Sequence, residues 1–357
     1  MEKNNRVLLG MSGGVDSSVS ALLLKNQGYE VVGLTMDLYQ ENSNKNEAID
    51  ENEDKFIDAK NVAKQLDVEH YVYDLKPQFQ NRVIDNFIDC YANCKTPNPC
   101  IECNRYMKFG AMFDFGKEHN CEYIATGHYA RTEYSEKYGR VVIKKSDAKS
   151  KDQTYVLWNV PKEVVSHMVF PLASYENKDQ IREIAKENGL QVANKPDSED
   201  ICFIPDGDYK KFLINHSNIK PKQGNIVLKD GTVVGKHNGL YNYTIGQRRG
   251  LGVSYKVPLF VLGFNSLKNE VIVGEEKELY QTEVLVTNIN LLAVDEIKDW
   301  MDVEVKTRYS VKQAKAKIKQ ENKLIKIIFD EPQRAITPGQ SAVFYDDDIV
   351  IGGGKII

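Results

Sequence analysis

Ser12-Gly13-Gly14-Val15-Asp16-Ser17-Ser18 follows the apolar run Arg6-Val7-Leu8-Leu9-Gly10-Met11 and opens an amphipathic stretch. A buried strand that turns through glycines into a helix brings backbone N–H groups and the positive end of the helix dipole to one point, where an anion is favoured. Adjacent glycines allow close approach, and the hydroxyls of Ser12, Ser17 and Ser18 are candidate donors. The reading is a phosphate site on an α/β scaffold.

The flanking sequence extends that scaffold. Val15, Val19, Leu22 and Leu23 share a helical face, and Glu30 to Asp37 reads as a strand. Ala59, Val62, Ala63 and Leu66 repeat the helical spacing before the strand-like Glu69 to Leu75, and Tyr123 to Thr126 is a further short strand. Such alternation predicts a parallel sheet with helices on both faces. Residues 41–54 are almost all polar and read as a solvated surface insertion. Asn177 to Asn188 predicts a helix with Ile181, Ile184 and Ala185 inside and Gly189 as its stop. Beyond Asp206, glycines at 224, 231, 235, 239, 246, 250 and 252 punctuate short Val/Leu/Tyr runs, as in a small β-rich connector. Glu283 to Ile289, Met301 to Thr307 and Leu324 to Phe329 alternate polar and apolar residues, which fits a compact antiparallel barrel or sandwich. The expected division is 1–208, 209–278 and 279–357.

The 357 residues exceed one ordinary core. A 41% hydrophobic, 27% charged composition is that of a globular chain, and the absence of a membrane-length apolar run or apolar leader makes the cytoplasm the expected location. A net charge of −4 argues against coating nucleic acid over the whole surface but leaves room for a basic face. Lys306, Arg308, Lys312, Lys315, Lys317 and Lys319 form such a run with no acid between them, and Arg308-Tyr309 could combine ionic contact with stacking.

The six cysteines are too few for a disulfide scaffold of this size, so their spacing is what informs. Thr96-Pro97-Asn98-Pro99-Cys100-Ile101-Glu102-Cys103 is a stiffened approach to a Cys-x-x-Cys pair. By itself that pair leaves metal binding, disulfide exchange and redox closure open. Cys90 and Cys121 sit in apolar patterns and read as packing. Cys202, after the polar turn Asp197-Ser198-Glu199-Asp200, reads equally as a distant partner of the pair or as a small buried residue.

The opening loop contains no G-x-x-x-x-G-K-[ST], so no local lysine serves the phosphates, and no G-x-G-x-x-G marks a dinucleotide site. It resembles the pyrophosphate loop of ATP pyrophosphatases, which split ATP between the α and β phosphates. Together with Asn98 to Asn104, Thr126-Gly127-His128-Tyr129-Ala130-Arg131, Lys151 to Tyr155, Asp197 to Phe203, Gly246 to Gly252, Gln333 to Tyr345 and Gly352 to Gly354, it closely resembles the tRNA-specific 2-thiouridylases. These enzymes replace the 2-oxygen of the wobble uridine with sulfur. The resemblance spans essentially the whole chain. It implies a Rossmann-like parallel-sheet domain of the adenine nucleotide α-hydrolase type, then a small β-rich connector and a C-terminal β-barrel.

The resemblance also implies roles. ATP would be held by Gly10, Met11, Ser12, Gly13, Gly14, Val15, Asp16 and Ser17, with Met36 and Gly127 beside the nucleotide and Asp16 helping to organise Mg²⁺. Cys202 would carry a persulfide sulfur supplied by a cysteine desulfurase or a sulfur-relay protein. Cys103 would resolve the intermediate and leave a Cys103/Cys202 disulfide for reduction. Asn98, Pro99 and Cys100 would lie near the target base, and His128, Lys151, Asp152, Gln153, Arg308, Tyr309 and Gln340 would meet base or tRNA. His128 titrates near neutrality in water, so it could order the base, or equally be a turn histidine bonded to backbone. The expected partners are tRNA and the sulfur donor, with no membrane, and a monomer is expected.

One position departs from the family pattern: many members have aspartate where Cys100 stands. Its thiol opens a second route, an iron–sulfur cluster held by Cys100, Cys103 and Cys202, and the same trio has a zinc reading. A noncatalytic tRNA-binding metal protein and an ATP-dependent amide ligase are the alternatives in other classes. The basic run and the matching cysteines argue against both.

Overall fold

The computed structural model describes residues 4–39, 55–196 and 201–357; the polar insertion at 41–54 and the turn 197–200 lie outside them. The chain folds as two compact units, Met1–Val83 with Cys100–Glu199 and Asp348–Val350, and Ile84–Pro99 with Asp200–Asp347 and Ile351–Ile357.

The first unit is built on β1 (Arg6–Gly10), β2 (Glu30–Asp37), β3 (Glu69–Asp74) and β4 (Tyr123–Ala125), with a hairpin of β5 (Arg131–Ser135) and β6 (Arg140–Lys144) and the short β7 (Met168–Val169). Its parallel sheet has the order β3-β2-β1-β4-β7. Val7, Leu8 and Leu9 of the central strand have no exposed surface, as a strand covered on both faces requires. The helix Val15–Asn26 contributes Val15, Val19, Ala21 and Leu24 to one core, which Ile181 and Ala185 of the helix Lys178–Glu187 also enter. That second helix follows its expected start: the Asn177 side chain accepts from Gln180 N at 3.1 Å. Gly189 follows its end in the left-handed region (φ +65°).

In the second unit, β8 (Gly224–Leu228), β9 (Val233–His237), β10 (Phe260–Asn265) and β11 (Glu270–Gly274) make a four-stranded sheet in the order β10-β11-β8-β9. The β11–β8 pair is parallel and the others antiparallel. Ile226, Val261, Val271 and Val273 form the fully buried centre of this connector. The barrel follows, with β12 (Tyr280–Leu291), β13 (Met301–Lys306), β14 (Ala314–Glu321), β15 (Leu324–Arg334), β16 (Ser341–Asp346) and β17 (Ile349–Ile356). Their order is β12-β15-β14-β13-β16-β17, and β12 returns to β17 through Val286↔Ile356 and Leu291↔Gly352. Of the two expected forms the barrel is the one found, and closure removes the exposed edges a sandwich would leave.

Candidate functional site

The Ser12–Ser18 loop leaves β1 with Met11 N donating to Leu34 O at 2.8 Å. Thr35 Oγ1 donates to Met11 O at 2.7 Å and lies 2.8 Å from His70 Nε2, so β2 and β3 support the turn from beneath. Gly13 has φ +71°, and a Cβ there would stand 2.9 Å from Asp58 Cβ and 3.0 Å from Ala59 N, which leaves room only for glycine. Gly14 is the N-cap of Val15–Asn26, and Ser17 and Ser18 return their hydroxyls to Gly14 O at 3.1 and 2.9 Å. Ser18 has no exposed surface and Ser17 only 6%. The expectation of three hydroxyl donors therefore narrows to the exposed Ser12, whose Oγ lies 3.3 Å from Ser17 Oγ. The reason is local competition, because serine in a first helical turn satisfies backbone before ligand.

Asp16 stands in that first turn, where a carboxylate suits the dipole. Its Oδ1 accepts from Tyr129 OH at 3.1 Å and its Oδ2 meets Lys178 Nζ at 2.9 Å. Lys195 Nζ reaches Gly13 O at 3.2 Å and Asp58 Oδ2 at 2.6 Å. Sequence reading missed both lysines because they arrive from far along the chain, Lys178 from the start of the helix Lys178–Glu187 and Lys195 from the extended chain just after Gln191–Asn194. Gly127, just past β4, packs directly on the helix start: a Cβ there would come within 3.1 Å of Asp16 and 3.2 Å of Ser17 N. Met36 lies near the end of β2, half-buried.

Tyr129 links a second group of expected residues to the loop. Its N–H donates to Gln153 Oε1 at 2.9 Å, while Gln153 N donates to Tyr129 O at 3.1 Å. Asp152 Oδ1 accepts from Thr154 N and Oγ1 at 3.1 and 2.8 Å, fixing the turn at Lys151-Asp152-Gln153. His128 is 8% exposed, its Nδ1 2.7 Å from Thr126 Oγ1, with the Phe109 and Phe170 rings beside it. Burial first, and then the Lys108 charge, hold its pKa well below the ordinary imidazole value. His128 is therefore neutral near pH 7, with one ring nitrogen engaged by the Thr126 hydroxyl.

The cysteines divide by unit. Cys103, 8% exposed, ends the short helix Pro99–Cys103, which continues as the π-helical Asn104–Ala111. Asn104 Nδ2 donates to Val156 O at 2.9 Å, and Arg105 Nη1 to Asn159 O and Oδ1 at 2.8 and 2.9 Å, which pins this helix immediately after Cys103. Cys100, at the same helix, is exposed. Loss of surrounding water still pushes its thiol pKa up, with Lys108 pulling the other way. Cys121 of the first unit is buried, and Cys90, on Asp85–Ala92 of the second unit, is half-buried, in keeping with their packing reading.

In the second unit Cys202 is exposed, beside a Phe203 that is 2% exposed and packs edge-on against Phe87 and tilted against Phe212, 5.4 and 5.2 Å between centroids. Of its two readings, the small buried residue is thus excluded. None of the six cysteines is in a disulfide. Among the described residues no three His, Cys, Asp or Glu side chains are arranged to hold a metal ion, so the cluster and zinc readings gain no ligand set.

Gln340, Arg308 and Tyr309, expected RNA contacts like Asn98 and Pro99, also lie in the second unit. Gln340, 8% exposed, donates through Nε2 to Thr96 O and Pro97 O at 3.0 and 3.2 Å, and Thr96 N donates to Pro338 O at 3.0 Å. Gln340 thus holds from behind the strand of chain that leads into Asn98 and Pro99. Arg308 spends its Nη2 on Ile245 O and Ala335 O at 3.1 and 3.0 Å and on Thr337 Oγ1. Tyr309 beside it is 45% exposed, with Lys306 Nζ 5.3 Å from its ring centre.

The basic run itself is not left uncompensated. Lys315 and Lys317 on β14 pair across the ladder with Glu304 and Asp302 on β13, and Lys317 Nζ is 3.9 Å from Asp302 Oδ1. An acid-free stretch in the sequence acquires acids from the neighbouring strand.

Three family profiles cover the chain in order: a tRNA methyl transferase HUP domain over residues 5–206, a tRNA methyl transferase PRC-barrel domain over 210–275 and an aminomethyltransferase β-barrel domain over 281–356. The chain is 45% identical to a tRNA-specific 2-thiouridylase MnmA of Clostridioides difficile, covering 100% of this chain and 99% of that protein. It is 46% identical to a tRNA-specific 2-thiouridylase of Caldanaerobacter subterraneus, again over 100% and 99%, and 46% identical to one of Clostridium perfringens over 98% of each. Among solved structures, a 4-thiouridine synthetase in complex with RNA and ATP matches 59% of this chain and 50% of its own at a TM-score of 0.40 and 19% identity, too distant to bear on the chemistry.

Proposed function

The chain belongs to the tRNA-specific 2-thiouridylase family, and we propose from that premise that it uses ATP to exchange the 2-oxygen of the wobble uridine in tRNA for sulfur. One observation carries the reading: near-full-length identity of 45–46% to these enzymes coincides with a strand, a glycine turn and a helix N-terminus in succession at Gly10 to Ser17. The uracil oxygen is a poor leaving group. Its attack on the α-phosphorus of ATP releases pyrophosphate and makes AMP the group to be expelled. Ser12, the backbone of Gly13 and Gly14 and the start of Val15–Asn26 would hold the phosphates, with Met36 and Gly127 flanking the nucleoside.

Mg²⁺ would travel with those phosphates. Asp16 is the loop carboxylate on offer to it, and phosphate and water oxygens would supply the remaining ligands. Because Asp16 already meets Tyr129 and Lys178, it would have to share its oxygens with the ion.

For the sulfur step, the exposed Cys202 suits receipt of a persulfide from a desulfurase or relay protein. Its terminal sulfur would attack uridine C2, form a C–S bond and expel AMP. The Cys103 thiolate would then attack Cys202 Sγ, releasing 2-thiouridine and leaving a Cys103–Cys202 disulfide for an external thiol to reduce. Asn98, Pro99 and Cys100 would face the base, with Lys151, Asp152, Gln153, Arg308, Tyr309 and Gln340 on the tRNA side. The division 1–208, 209–278 and 279–357 and a cytoplasmic monomer complete the reading.

The test is conversion of unmodified tRNA to wobble 2-thiouridine by the purified protein with ATP and a persulfide donor under anaerobic conditions, read by nucleoside mass spectrometry. No sulfur insertion, with or without a reconstituted cluster, overturns the proposal. Cys202→Ser should abolish transfer. Full activity in a preparation free of iron and acid-labile sulfide would eliminate the cluster route.

A further inference from the structure

A helix N-terminus presents only about half an elementary charge, far too little to balance a bound triphosphate. The loop worsens that balance, because Asp16 and Asp58 put two carboxylates against it. The sequence around the loop holds no compensating lysine, yet two ammonium groups stand there in space. Lys178 Nζ lies 2.9 Å from Asp16, and Lys195 Nζ bridges Asp58 and the carbonyl of Gly13. Among the described residues, each of the two carboxylates at the loop thus meets an ammonium group.

The place of Lys178 is informative in itself. It opens the helix Lys178–Glu187, where the dipole disfavours a cation, and only 14% of its side chain is exposed. A half-dry ammonium at such a position needs anions around it. Asp16 is among them, and a phosphate group held by the loop would add to them. Lys195 is more open, its side chain 44% exposed, and it already touches the loop backbone. Neither lysine needs to travel: each sits on a residue of the loop or on the residue packed against Gly13.

We propose that Lys178 and Lys195 are the phosphate-binding cations of this nucleotide site, held at the loop by Asp16 and Asp58 and shared with the phosphate oxygens of ATP when it binds. They supply from a distance what a lysine inside the loop supplies in other phosphate sites. The inference rests on the reading of Gly10 to Ser17 as an ATP loop.

The test is equilibrium binding of ATP and, by competition, of adenosine to the full chain, comparing the native protein with Lys178→Met, Lys195→Met and the charge-keeping Lys178→Arg and Lys195→Arg. Each methionine variant should lose about tenfold to hundredfold in ATP affinity, as expected for a charge-assisted bond, with adenosine affinity within about twofold. The arginine variants should recover most of the loss. Unchanged ATP affinity in the methionine variants overturns the proposal, and so does an equal loss for adenosine, which would mark the lysines as supports of the fold. Native protein that binds no ATP fails the underlying reading instead. If a methionine variant does not fold, the arginine variant of the same lysine decides: it must keep the preference for ATP over adenosine.

Discussion

The Ser12–Ser18 loop and the β13–β14 ribbon relate sequence to charge in opposite ways. Around Ser12 to Ser18 the sequence offers an acid and no base, and the fold delivers Lys178 and Lys195 from outside. Along Lys306 to Lys319 the sequence offers cations alone, and the fold sets Asp302 and Glu304 across the ladder from two of them. Charge at a site belongs to its spatial neighbours, and a count along the chain measures it only where no other element packs alongside.

The sharpest way to break the first half of that comparison is to disturb the loop without touching a charge. Gly13→Val adds strain at φ +71° and drives a side chain into Asp58 and Ala59 N. ATP affinity should fall by about a hundredfold or more, the sum of strain and overpacking. Retention within threefold would show that the loop tolerates a different shape and that its glycine does not set the phosphate site.

Arg308 tests the second half. With Nη2 given to Ile245 O, Ala335 O and Thr337, Arg308→Ala should cost about 2 kcal/mol in denaturant unfolding, because buried carbonyls lose a charged donor. A loss of tRNA affinity with unchanged stability would instead give the guanidinium back to RNA. Tyr309→Ala, at the exposed neighbour, should lower tRNA affinity and leave stability within about 0.5 kcal/mol.

Much of the architecture was legible because it rests on local period. The run Val7 to Leu9, the strand Glu30–Asp37 and the helix after Asn177 carry their own signals of burial, alternation and capping. The loop was legible for the same reason: strand, glycines and helix start are contiguous. Lys178 and Lys195 were not, since nothing at either position points to residue 13 or 16 until the chain around 178–195 packs against the loop. Gln340 was singled out only through family resemblance, and its bonds to Thr96 O and Pro97 O, a hold on the backbone before Asn98, are encoded by no spacing rule. Ser18 failed by the reverse route: its hydroxyl is near the loop in sequence but satisfied by Gly14 O.

A smaller effect would sharpen the ribbon's side. Asp302→Asn with Glu304→Gln removes the two acids opposite Lys317 and Lys315. If those acids screen the lysines, tRNA should bind about threefold to tenfold tighter at low salt, with a steeper dependence of log K on log salt. Removing Lys315 and Lys317 should have the opposite sign and similar size. Indifference to both changes would place the ribbon away from RNA altogether.

The smallest expected effect concerns a group whose charge is decided by burial instead of a partner. His128 lies one residue past Gly127, so a proton on it would alter the field at the loop, and in water that proton would come and go near pH 6.5. Burial holds its folded pKa well below that value. The unfolded chain therefore binds the proton first as pH falls, and stability declines from about pH 6.5 downward until the folded pKa is reached. Between pH 7 and 5.5 this should remove about 1 kcal/mol of unfolding free energy, a slope that His128→Gln should flatten by the same amount. His237, lowered in the same direction by desolvation, adds to the native slope but remains in the variant, so the difference between the two proteins isolates His128. A variant whose pH dependence matches the native chain would mean that His128 takes up its proton in the folded state. The loop would then carry a third cation at mildly acidic pH, and ATP affinity should rise over the same interval.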